Sequence, residues 1–81
     1  MTEQEINNLT TEQCDKIFNT HNNYTNFFDL LVIHQIEFMP NKGNGYGAFN
    51  ADINIVFRDQ HPETAVLKAI IHKKGLKNAT N

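Results

Sequence analysis

The sequence predicts a small α+β domain in the order α-β-β-α: an antiparallel hairpin packed against one or two helices. Three observations predict it. From Ala48 to Arg58, apolar Phe49, Ala51, Ile53, Ile55 and Phe57 alternate with Asn50, Asp52, Asn54, Val56 and Arg58, the period of a half-buried strand. Residues 40–47 hold Pro40 and three glycines, which suits a hairpin connection. Residues 62–74 read as a helix with a start and a stop signal, and a weaker helical pattern precedes the strands.

Taken in order, Thr2-x-x-Glu5 and Thr10-x-x-Gln13 both match the capping box, in which residue N3 reaches back to the N-cap amide. The second predicts a helix near 10–20 with Cys14, Ile17 and Phe18 on one face. A short helical turn at 3–8 precedes it. Residues 20–26 have loop chemistry. Residues 30–39 read as a strand, with Leu30, Val32, His34, Ile36 and Phe38 in one apolar row. A helical turn over 26–31, capped by Thr25, is the alternative. Pairing Phe38 with Phe49, Ile36 with Ala51, His34 with Ile53 and Val32 with Ile55 brings both apolar rows onto one face. Residues 59–62, Asp-Gln-His-Pro, start the second helix, with Pro62 at its first position and Glu63 in its first turn. Ala65, Val66, Ala69 and Ile70 line its buried face. Gly75 suits a left-handed cap, and Leu76 then meets Ile71 as in a Schellman motif.

A two-stranded sheet leaves two unpaired edges. Either residues 20–29 add a strand, or the edges pair with another chain, and a homodimer through the sheet edge is the expected form. The 81 residues make one domain, 1–81, with the ends at 1–9 and 77–81 partly flexible. One cysteine excludes an intrachain disulfide and fits a reducing compartment. With no signal-peptide pattern and no apolar run of about 20 residues, a cytoplasmic location without membrane contact is expected.

The net charge of -2 is unevenly placed. Residues 1–57 hold seven acids against Lys16 and Lys42, whereas residues 58–81 hold five bases against Asp59 and Glu63. Helix-dipole complementarity is the expected reason for that split, and steering of a charged partner is the alternative. Arg58, Lys73, Lys74 and Lys77 are the nucleic-acid candidates, a thin cluster for a phosphate backbone.

No catalytic constellation is visible. The glycines at 43–47 lead into a strand rather than a helix N-terminus, so the phosphate-loop mechanism is missing. Residues 45–49, Gly-Tyr-Gly-Ala-Phe, share letters with the RNA-recognition signature, but Asn44 and Ala48 break it and no closing strand follows. His34, His72, Asp59 and His61 loosely fit a ββα metal nuclease, the third-ranked function, yet no metal-ligand spacing supports them. No metal and no cofactor is expected. Cys14 lies on an apolar helix face, where packing is its expected role.

The default is therefore a non-enzymatic protein that binds and regulates another protein. Compact chains of this kind are common among phage and mobile-element inhibitors of host proteins, anti-CRISPR types included, which would act in the host cytoplasm. The expected contact surfaces are the hairpin loop with Lys42, Asn44 and Tyr46, and the polar sheet face with Glu37, Asn50, Asp52 and Asn54. Nucleic-acid binding through the basic helix end and the hairpin loop is the alternative.

Overall fold

A computed structural model describes residues 1–21, 27–40, 45–50, 52 and 55–76. They form an α+β fold with α1 (Glu3–Asn7), α2 (Thr11–His21), α3 (Phe27–His34), β1 (Glu37–Pro40), β2 (Tyr46–Phe49), β3 (Phe57–Asp59) and α4 (Pro62–Lys74). The strands make one antiparallel sheet in the order β1-β2-β3. Lys42, Asn44, Asn54 and Lys77 lie outside the described residues.

Local chain chemistry starts both amino-terminal helices as expected. The Glu5 amide donates to Thr2 Oγ1 at 3.2 Å and the Thr2 amide to Glu5 Oε1 at 2.8 Å, a complete capping box. Thr10 and Gln13 repeat it at 3.1 and 2.8 Å. Ile6 and Leu9 are buried, as are Cys14, Ile17 and Phe18 on one face of α2. Through Ile6, α1 is anchored to the core.

The molecule is organised around α4. All eight residues from Thr64 to Ile71 are buried, and α4 touches each of the six other elements. A helix enclosed on every side has no polar face to present, so its apolar residues do not form one stripe. Pro62 opens it, and Gly75 at φ 65° closes it. The Leu76 amide donates to the Ile71 carbonyl at 3.1 Å and the Gly75 amide to that of His72 at 3.3 Å, which completes the expected Schellman motif.

Three expectations are corrected in the middle of the chain. Residues 27–34 are a helix, the alternative reading, rather than the start of a strand. That helix ends with Gln35 in the left-handed region at φ 56°, while the Ile36 amide donates to the Leu31 carbonyl at 3.0 Å. The stretch 48–58 is not one strand: β2 ends at Phe49, and the chain reverses before β3 begins at Phe57. Eleven extended residues would span roughly 36 Å. The whole molecule measures 35 Å along its longest axis, and folding back yields a third strand instead.

The register also differs by one residue. Glu37 faces Phe49 and Phe38 faces Ala48, while Ala48 faces Phe57 across the next pair. The reversal between 49 and 57 switches parity, so even-numbered Phe38 and Ala48 share the inner face with odd-numbered Phe57. Ala48 and Phe57 are fully buried there.

Candidate functional site

Two surfaces bring functional groups together. The first is the outer face of the sheet, opposite α4. Side chains alternate across a strand, so with Phe38, Ala48 and Phe57 inward, the outward set is Glu37, Met39, Gly47, Phe49 and Arg58. Met39, Gly47 and Arg58 are cross-strand neighbours, and Phe49 sits beside Glu37. Val56, just before β3, lies over Gly47: a Cβ on that glycine would stand 3.0 Å from Val56 Cγ1. Met39 is 54% exposed and Val56 47%. Glu37 and Arg58, both exposed, occupy diagonal corners of this apolar centre.

Of the predicted sheet-face residues that the structure describes, only Glu37 lies on that face. Asp52 is exposed, but in the turn after β2 rather than on a strand. Asn50 is 3% exposed and structural. Its Nδ2 donates to the carbonyls of Gln35 at 2.7 Å and His34 at 3.4 Å, and its Oδ1 accepts from the Asp52 amide at 2.7 Å. It thereby caps α3 and starts the chain reversal with an Asx turn. A buried amide with three partners is not free for a ligand. Tyr46 is not at a loop tip either. As the first residue of β2, it is half-buried against the core, its ring 6.2 Å from that of Phe38.

The second surface is a groove of about 640 Å³ between the α1–α2 connection and the start of α4, lined by residues including Thr10, Arg58, Asp59, His61 and Lys68. At its floor lies Lys68, 2% exposed. Its Nζ donates to the Asn7 carbonyl at 2.8 Å, the Arg58 carbonyl at 3.0 Å and Asp59 Oδ2 at 3.1 Å. All three ammonium protons are used, so a buried charge is tolerated. Asp59 Oδ1 accepts from the His61 amide at 3.0 Å and faces His61 Nδ1 at 3.3 Å. Burial by itself would raise the Asp59 carboxyl, but the His61 amide and the Lys68 ammonium outweigh it and hold the pKa below the ordinary value. In the sequence, Lys68 is simply one of the five bases of residues 58–81. The only signal for its burial was a lysine flanked by Val66, Leu67, Ala69, Ile70 and Ile71.

This network also closes one sheet edge. The Arg58 amide donates to Asn7 Oδ1 at 3.2 Å, and its carbonyl accepts from Lys68. Both outward backbone groups of β3 are therefore occupied by side chains, which blocks strand addition there. Pro40, with no amide proton, ends the other edge strand, β1.

The remaining candidates are dispersed. Lys73 Nζ donates to the His34 carbonyl at 2.7 Å, so this lysine serves the carboxyl end of α3. Lys74 and Arg58 are exposed. His34 is the last residue of α3, not a mid-strand residue, and burial followed by the charges of Lys74 and Lys73 lowers its pKa. His72 packs its ring 5.3 Å from that of Phe57. Among the described residues, no three His, Cys, Asp or Glu side chains are grouped to hold a metal ion. Cys14 is fully buried, and burial pushes its thiol up to about 12, so it is not a thiolate at neutral pH.

No protein-family model matches the chain, and it matches no curated protein and no solved structure. Among the described residues, no helix is long and apolar enough to cross a membrane.

Proposed function

We propose that this protein is a non-enzymatic binding domain that regulates another protein through the outer face of its sheet. The observation that supports the reading is the chemistry of that face. The outer face of an antiparallel sheet usually carries polar residues. Here Met39, Phe49 and Val56 stand there instead, with Met39 and Val56 about half exposed. The complementary partner surface is apolar at its centre, with a base placed for Glu37 and an acid for Arg58. Inhibition of a host protein by a phage or mobile-element product, of the anti-CRISPR type, is the biological setting this mode of action fits. The carboxylate, imidazole and ammonium groups of the groove are already committed to one another, which favours a structural role for them over a catalytic one. With Lys68 and Lys73 bonded inside the fold, nucleic acid is the less favoured partner.

The test is affinity capture with wild type and with Val56→Asp and Met39→Asp. Both positions are exposed, so melting temperatures should stay close to wild type. A stoichiometric protein held by wild type and lost by both variants supports the assignment. Equal retention by all three overturns it.

A further inference from the structure

The outer face has a property that goes beyond accommodating a foreign partner: its charges complement one another. This inference rests on the reading of that face as the contact surface. Glu37 stands on β1 and Arg58 on β3, on opposite sides of Phe49 and Gly47 in β2. Two strand spacings and one two-residue step put their Cα atoms roughly 12 Å apart, at diagonal corners of a rectangle. The other diagonal runs from exposed Met39 to exposed Val56. We infer that this face pairs with a second copy of the chain about a two-fold axis lying along the Met39–Val56 diagonal.

Rotation about that axis exchanges the two charged corners. Glu37 of each copy then meets Arg58 of the other, giving two equivalent ion pairs. Met39 and Val56 lie near the axis and meet their own counterparts. That is the isologous pattern, in which one patch is its own complement. The strands of the two sheets cross at a steep angle, towards the orthogonal class of sheet packing. A second copy is favoured over an added strand because the β3 edge is already occupied by Asn7 and Lys68. Five strand positions and Val56 fall well below the roughly 800 Å² per partner of a standard interface. The dimer is accordingly weak, forming at concentrations on the order of 10⁻⁴ M or above.

Sedimentation of the full chain from about 20 µM to about 1 mM tests this, with Glu37→Arg, Arg58→Glu and the double variant compared. Both side chains are exposed, and melting curves check that each variant folds. Wild type should approach a dimer mass. Each single variant should shift the midpoint at least ten-fold upward, because like charges then meet at both corners. The double variant should return to within about three-fold of wild type. The two single variants mixed should also associate, since every corner then faces its opposite charge. A wild-type mass that stays monomeric at 1 mM overturns the inference. So does a dimer indifferent to the charges, or a mixture no better than its components. A monomeric wild type whose partner is still lost on Val56→Asp defeats the two-fold pairing and leaves the proposed function standing. A charge-dependent dimer that captures no partner does the reverse.

Discussion

Gly45, Gly75, Asp59 and Lys68 show how single residues decide what this chain tolerates. Gly45 and Gly75 both have positive φ, at 81° and 65°, but differ in surroundings. A Cβ on Gly45 would run into the Asp59 carbonyl oxygen and stand 2.8 Å from Gln60 Cα, whereas Gly75 has nothing within 4 Å. Gly75→Ala should therefore cost only the left-handed backbone penalty of about 1 kcal/mol. Gly45→Ala should cost upwards of about 2 kcal/mol, because backbone must move as well. Urea denaturation of the two variants measures the difference, and equal losses would contradict the close approach. Asp59 sets an acid limit on stability. Its folded pKa lies below the ordinary 3.8, so its contribution is fully present above that value and is lost as pH falls through the lowered one. Wild type and Asp59→Asn should differ most in melting temperature at neutral pH and converge below about pH 4. Lys68→Met removes the donor to two carbonyls and a carboxylate, and should cost on the order of 3–5 kcal/mol. These dependencies were not legible beforehand, because a lysine inside an apolar run and a glycine beside a distant carbonyl are defined by what the fold brings near.

At the scale of elements, the helix ends were the most legible part of the chain. Both capping boxes, the proline start of α4 and its Schellman stop formed as their local spacing predicts. A cap involves neighbours three to six residues apart, so short-range chemistry suffices. The end of α3 is the instructive contrast. Gln35 takes the left-handed position that glycine fills after α4, and the carbonyls around it are served by Asn50 and Lys73 from other parts of the chain. No pattern local to α3 announces that stop. Gln35→Gly should stabilise the protein by about 0.5–1 kcal/mol, the relief of backbone strain less the added freedom of the unfolded chain. Thermal melts check this, and a destabilised variant would show that the Gln35 side chain contributes more than its backbone costs.

For the whole molecule, the centre of organisation is α4 rather than the strand-like stretch at 48–58. Because α4 touches every other element, its amides should exchange with solvent only through global unfolding. Hydrogen exchange should give residues 66–71 one shared, highest protection level, with α1 opening more easily. Protection in α4 that is graded residue by residue would instead indicate local fraying of the core. The same centrality explains the misplaced surfaces. Once the sheet packs on α4 through Phe38, Ala48 and Phe57, the opposite face receives Met39, Phe49 and Val56. The expected polar face dissolves with the single long strand on which it depended. Glu37 and Arg58 were both singled out from the sequence, but for separate roles. Their shared face follows from strand order and register.

The sequence by itself determined the α+β class, three of the four helices, the start of each and the stop of α4, because these depend on composition, periodicity and contacts within a turn. Tertiary structure alone decided where the alternating stretch reverses, which parity faces inward and which charges are buried. Those choices follow from competition for one small core, in which enclosing α4 on every side outweighs the local preference of residues 48–58 to run straight.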